Sequence, residues 1–430
     1  MLDYKKTTNK LLNFLDNSPS PFHTVANLKE MVLGAGFVEL DEAKDWQLAP
    51  GGSYFVTRND SSIAAFRIPK DFGAEQKNAA FHIVAAHSDS PTFKIKEKPE
   101  MKVEEQYVKL NTEKYGGMIM STWFDRPLSV AGRITLRENG KIVSKLVNVK
   151  QDLCVIPSLA IHMNRDANKG MEFNAQTDML PLFSQCNEAE SFMDVIGKAI
   201  GVQKDEILGH DLFLYVRENG KVFGSGEEFV LAPRLDDLQC AFSAMAAIVE
   251  STPAENINIC VIFDNEEVGS GTRQGADSTF LSDILVRIKE VFDFSDSRLR
   301  QMIANGLLIS ADNAHAVHPN HPEKADPTNR PYINGGVVIK YHGSQKYTTD
   351  AYTAAALKEL CKEAGVPVQT YANRSDIPGG STLGNISTAH VSIPSVDIGL
   401  PQLAMHSAVE TAGNQDTEYA IRLFKTFYGK

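Results

Sequence analysis

Between Cys260 and Ser270 the chain reads Cys-Val-Ile-Phe-Asp-Asn-Glu-Glu-Val-Gly-Ser, an apolar run that ends in two adjacent carboxylates, Glu266 and Glu267. The run has the length and composition of a buried strand. Adjacent side chains at its mouth point in different directions, so one carboxylate can ligate a cation while its neighbour faces a water as general base. Taken alone, a Glu-Glu pair reads as a solvated turn. Its company changes that reading: His87, Asp236, Asp312 and His406 also stand where an apolar run ends or a helical segment begins. Histidine and carboxylate without cysteine suit hard-to-borderline divalent ions, and zinc, manganese and cobalt all fit. With Glu267 the set exceeds what one catalytic zinc takes from protein; with one shared Asp it fits two ions roughly 3.5–4 Å apart.

The elements that would position these residues are legible from periodicity. Phe81–Ala86, the Cys260 run, Leu307–Ser310, Val337–Lys340 and Ser395–Ile398 read as strands, and Leu235, Leu238, Phe242, Met245 and Ile248 recur at helical spacing. Ser20 and Pro21 read as N-cap and first-turn proline of a helix ending near Gly34 or Gly36, and a closing helix is expected around 417–427. From about 92 to 220 the pattern becomes alternating and β-branched. Arg-Glu-Asn-Gly-Lys occurs there at 137–141 and again at 217–221, and Asn-Gly favours a two-residue hairpin turn. The economical architecture is an α/β domain built from residues 1–91 and 221–430, interrupted by a β-rich domain over 92–220. In an open α/β sheet the strand-to-helix loops gather on one edge, where residues distant in sequence meet.

Composition excludes several alternatives. The 430 residues are 43% hydrophobic and 23% charged, as in ordinary globular proteins. A net charge of −11 without a Lys/Arg cluster argues against a nucleic-acid partner. The longest apolar stretches fall short of a membrane span, and the N-terminus shows no apolar leader. Cys154, Cys186, Cys240, Cys260 and Cys361 are scattered without metal-type spacing, and read as reduced thiols of a cytoplasmic protein.

His87-Ser-Asp-Ser-Pro91, Pro233-Arg-Leu-Asp-Asp237, Asp264-Asn-Glu-Glu-Val-Gly-Ser270, Ser310-Ala-Asp-Asn-Ala-His-Ala-Val-His-Pro319 and Pro401-Gln-Leu-Ala-Met-His-Ser407 resemble the signature blocks of aspartyl aminopeptidases, a family of two-metal exopeptidases. The blocks follow the family's order across nearly the whole chain. The resemblance implies a zinc-peptidase-like fold, an open mixed sheet flanked by helices, with 92–220 as a dimerisation and oligomerisation domain. It implies two zinc ions per subunit, one on His87 and Asp312, the other on Glu267 and His406, with Asp236 bridging. Glu266 would be the general base and Asp89 would orient the His87 imidazole.

The resemblance also implies that His162 reaches from one subunit into its neighbour's active site, that His315 lies near substrate, and that Lys340 receives the acidic side chain. Without it, His162 reads as a structural histidine and Lys340 as a surface lysine ending an edge strand. Ser381 and Thr382 are candidate hydroxyl donors to substrate; Asp125 is assigned to structure or subunit contacts, and His318 to no role. Gly379 stands where relatives often carry Cys, and Asn385 where a proline is common. The expected activity is release of N-terminal Asp or Glu from short peptides with a free N-terminus, by a homo-oligomer of the dodecameric kind built from dimers. The rivals are the same chemistry with a preference for neutral residues such as Leu, and a non-catalytic assembly or cargo-binding protein on the same fold.

Overall fold

The computed structural model describes residues 4–73, 79–186 and 190–430. The reading of the N-terminus rests in part on residues 1–3, outside the described set. A nine-stranded mixed sheet runs through the molecule. Its centre places Ile257–Phe263, Phe81–His87, Leu307–Ala311 and Ser395–Gly399 side by side, all parallel. Alternate residues of the apolar runs enter two cores. Val84, Ala86, Cys260 and Ile262 pack with helices Leu235–Glu250 and Asp416–Tyr428; Ile83, Ala85, Ile259 and Val261 pack beneath helix Phe280–Val291. A strand covered on both faces has no polar face, which is why these runs are continuous rather than alternating. Each large aliphatic side chain so buried contributes roughly 1.5–3 kcal/mol.

Because the central strands are parallel, their C-terminal ends share one edge. His87 closes its strand there, Asp312 follows Ala311, and Phe263 leads through Asp264 and Asn265 into a single 3-10 turn, Glu266–Val268. Helix Leu235–Glu250 brings Asp236 and Asp237 in its first turn, both buried. Helix Pro21–Gly34 begins as expected, with the Ser20 hydroxyl accepting from the His23 N–H, and the closing helix spans Asp416–Tyr428. All five cysteines are free, and no helix among the described residues is long and apolar enough to cross a membrane.

Residues 92–216 supply an antiparallel six-stranded sheet. Asn139 and Gly140, at φ 48° and 77°, turn Leu128–Glu138 into Lys141–Asn148 with Glu138 paired to Lys141, as the first Arg-Glu-Asn-Gly-Lys predicts. The second copy behaves differently. Ile207–Val216 belongs to the six-stranded sheet, whereas Lys221–Phe223 opens a separate five-stranded one. The Gly220 N–H donates to Asp16 Oδ1 at 2.8 Å, so a tertiary contact to the first helix replaces the local turn. The five-stranded sheet joins Lys221–Phe223, Phe229–Ala232, Glu410–Gly413, Pro401–Leu403 and Ala314–His315 in that order. Its strands are too short to show a period.

His82, in strand Phe81–His87, stacks on Phe427 at 4.4 Å between ring centroids, with Nδ1 3.1 Å from the Phe427 carbonyl oxygen. Burial pushes its imidazole down to about 4 from an ordinary value of 6.5. The unfolded chain therefore takes up this proton first as pH falls. The contribution of neutral His82 is complete above the unfolded value and is lost as pH drops toward the folded one, by about 3 kcal/mol in all. Chemical denaturation of wild type and His82→Asn, which keeps a donor facing Phe427, is expected to show the variant losing stability less steeply across that window.

Candidate metal centre

His87 is held on two sides. Its main-chain N–H donates to Asp237 Oδ2 at 3.2 Å, and its Nδ1 lies 3.1 Å from the Asp89 carbonyl oxygen and 3.3 Å from Asp89 Oδ1. Nε2 is thereby turned toward Asp236 Oδ1, 3.6 Å away. The other Asp236 oxygen, Oδ2, lies 3.4 Å from His406 Nε2, which also stands 3.4 Å from Glu267 Oε2. Asp236 thus offers one oxygen to each imidazole. Ligands about 2.0–2.1 Å from a tetrahedral zinc are roughly 3.4 Å apart, the same spacing. Asp236 Oδ1, Asp237 Oδ1 and Glu267 Oε1 are buried with no hydrogen-bond partner. Among the described residues, two groups each bring their ligand atoms within 4.8 Å of one another: His87, Asp236 and Glu267 form one, and Asp236, Asp237 and Asp312 the other. Histidines and carboxylates in this arrangement fit divalent cations.

The electrostatics point the same way. Burial pushes Glu266 up to about 8, with His87 opposing and Asp312 adding to the rise. Burial and then Asp236 push Glu267 well above the carboxylate range, and Asp312 is also raised, first by burial. Against burial, His406 and His87 hold Asp236 well below that range. Crowded anions that raise one another in this way are what a cation relieves.

Sequence reasoning missed part of the support. Glu410, four residues after His406, accepts the main-chain N–H of Asp236 at 3.0 Å and of His406 at 2.7 Å. His406 Nδ1 lies 2.8 Å from the Gly117 carbonyl, which leaves Nε2 to the cluster. The Tyr115 hydroxyl donates to Asp89 Oδ2 at 2.7 Å. Asp237 carried a signal, being acidic and adjacent to Asp236; Tyr115 and Gly117 carried none, because they arrive from the six-stranded sheet.

A cavity of about 290 Å³ opens beside the cluster, lined by His87, Asp236, Glu266, Glu267, Asp312 and His406, and by His315, Lys340, Ser381 and Thr382. Lys340 does not end an edge strand. Val337–Tyr341 runs between Ser395–Gly399 and Val368–Ala372, and Lys340 is only 3% exposed, with Nζ 3.7 Å from Asp312 Oδ1. Burial works against its charge, but Asp312 and its other anionic neighbours raise it above the usual lysine range. The two hydroxyls are already committed as donors, Ser381 to Asn385 Oδ1 at 3.0 Å and Thr382 to Asp397 Oδ1 at 2.5 Å. What they turn toward a substrate is therefore an acceptor. At Gly379 a Cβ would fall 2.1 Å from Asn373 Nδ2, so a larger residue requires that side chain to move.

Outside the cavity, His162 lies in an exposed segment between Leu159, Ile161 and Met163, all exposed. Asp125 anchors the start of that segment, accepting from the Ser158 N–H at 2.9 Å and hydroxyl at 2.6 Å. His318 is exposed and accepts from the Asn320 N–H at 3.2 Å.

The family model of the aminopeptidase I zinc metalloproteases (M18) matches residues 14–428. The chain belongs to the M18 family. It is 47% identical over 425 residues to a probable M18 family aminopeptidase 2 of Clostridium acetobutylicum, covering 97% of this chain and 98% of that one. A namesake from Pseudomonas aeruginosa strain UCBPP-PA14 is 40% identical over 424 residues, with 97% of each covered. Among solved structures, a chain of the Ape4 and Nbr1 complex superposes with a TM-score of 0.94 at 37% identity, over 99% of this chain and 86% of that one. The S. cerevesiae mApe1 dodecamer gives 0.85 at 26% identity, over 99% and 97%. This M18 chain is accordingly a metal-dependent aminopeptidase of a zinc metalloprotease family.

Removing metal should leave the M18 cluster uncompensated. The thermal midpoint is expected to fall on chelation and to recover with zinc, a gain of about 4 kcal/mol when zinc is at a thousandfold its Kd. Asp236→Asn is expected to abolish most of the zinc-dependent shift; a variant that kept it whole would remove Asp236 from the site.

Proposed function

We propose that this M18 enzyme releases N-terminal Asp or Glu from short peptides, with two zinc ions per subunit: His87 and Asp312 hold one, Glu267 and His406 the other, and Asp236 bridges them. Manganese or cobalt suits the same donors. Zinc bound there supplies a Lewis acid and lowers the pKa of water. Glu266, on the cavity wall, accepts the proton of the attacking water on its carboxylate and returns it to the leaving amine. Asp89 holds His87 Nδ1 so that Nε2 stays available. A carboxylate of the same cluster receives the substrate's free ammonium, which limits cleavage to the first peptide bond. His315 stands on the wall the substrate must pass.

The observation that carries the acidic preference is Lys340. An ammonium buried in the wall of this cavity can neutralise an entering carboxylate, whose desolvation otherwise costs several kcal/mol. kcat/KM on peptides matched except for N-terminal Asp or Leu is expected to favour Asp by about a hundredfold, or 2.7 kcal/mol. Lys340→Met is expected to lose most Asp-peptide turnover while changing Leu-peptide turnover little. A wild-type preference for Leu would move the enzyme to the neutral-specific alternative.

Residues 92–220 are proposed as the dimerisation domain of a cytoplasmic homo-oligomer, a dodecamer built from dimers. The dodecameric relative and the exposed Leu159, Ile161 and Met163 around His162 support this reading. The partner subunit's His162 then completes each active site. Glu266→Gln is expected to lower kcat by about 10²–10⁴ with zinc retained, and His162→Ala to lower turnover separately. Mixed assemblies of the two variants should regain activity, because in each mixed pair one site joins an intact Glu266 to an intact His162 from the neighbouring subunit. Absence of recovery would remove His162 from the shared site. Turnover undiminished in Glu266→Gln would remove the general base.

A further inference from the structure

The Asp89 carboxylate makes several contacts that depend on one torsion. Oδ1 accepts the Glu266 N–H at 3.1 Å and lies 3.3 Å from His87 Nδ1; Oδ2 accepts the Glu267 N–H at 3.2 Å. Rotation about its Cβ–Cγ bond would loosen the imidazole and the 3-10 turn together. The group that opposes this rotation comes from the other sheet. Tyr115, the last residue of strand Tyr107–Tyr115, donates its hydroxyl to Oδ2 at 2.7 Å, and Asn265 Nδ2 donates to the Tyr115 oxygen at 2.8 Å. The Tyr115 ring is set edge-on against Phe213 at 5.5 Å. The next residues close on the other half of the cluster. A Cβ on Gly116, at φ +76°, would stand 3.1 Å from Glu267 Cβ, and the Gly117 carbonyl faces His406 Nδ1 at 2.8 Å.

We propose that Tyr115 is a positioning residue for peptide hydrolysis: its hydroxyl fixes the Asp89 carboxylate in the orientation that holds His87 and the Glu266–Glu267 turn in register. The strand end Tyr115–Gly117 thus couples the six-stranded sheet to both proposed metal sites. The inference rests on the reading of the cluster as a zinc centre.

Tyr115→Phe removes the hydroxyl and keeps the ring. In the full-length protein it is expected to lower kcat and the affinity for zinc, measured by competition with a chromogenic chelator, each by roughly ten- to a hundredfold. KM and the thermal midpoint of the metal-free protein should stay near wild type. Because the hydroxyl acts through Asp89, the same change in an Asp89→Asn background should add no more than about twofold. Phe213→Leu, which removes the ring against Tyr115 but not the hydroxyl, should keep its zinc. Tyr115→Phe equal to wild type in kcat and zinc affinity would overturn the role of Tyr115, as would a full additional loss in the Asp89→Asn background, or a Phe213→Leu variant as impaired as Tyr115→Phe. A wild-type protein that held no zinc would instead overturn the reading of the centre.

Discussion

Repulsion between buried carboxylates is the constraint that organises this molecule. Asp89, Asp236, Asp237, Glu266, Glu267 and Asp312 meet at one edge of the central sheet, most of them out of contact with water. Two like charges 4 Å apart repel by about 4 kcal/mol at an effective dielectric of 20, and a whole domain is stable by only about 5–15 kcal/mol. Such a cluster persists where donors and cations surround it. Main-chain N–H groups at His87, Glu266 and Glu267, two imidazoles and the Lys340 ammonium are the protein's own contribution. Oxygens still lacking a partner are where divalent cations fit.

That constraint also explains the close engagement of the six-stranded sheet with the site. Its strand end meets Asp89, Glu267 and His406, while Asp125 further along anchors the exposed segment carrying His162. Residues 115–125 therefore lie between that exposed segment and the cluster itself. One short stretch of chain thus makes contacts both to the imidazole of His406 and to the segment carrying His162.

Much of this was legible in the sequence. Continuous apolar runs identified the central strands because a sheet covered on both faces leaves no polar face to interrupt them. The chemistry-bearing residues at the ends of those runs were legible because parallel strands must present their C-terminal ends on one edge. Other features were not. Glu410 and Tyr115 act through single hydrogen bonds made across the fold, which leave no period or spacing. The second Arg-Glu-Asn-Gly-Lys was misleading because a contact to Asp16 outweighed a turn preference worth little by itself. Lys340 reads as a surface residue until the strand Val368–Ala372 is known to lie beyond it.

The small sheet that pairs Phe229–Ala232 with Glu410–Gly413 brings late residues onto early ones. A ribosome delivers His87 and Asp236 long before His406, and a domain generally folds as a unit. Until residues 401–413 have left the exit tunnel, Asp236 lacks both its second imidazole and the Glu410 carboxylate that holds its backbone. A nascent chain paused short of that point has its acidic residues but not the geometry to arrange them. Completion of the cluster is consequently a late event in the making of the chain, because its last contacts wait for residues 401–413.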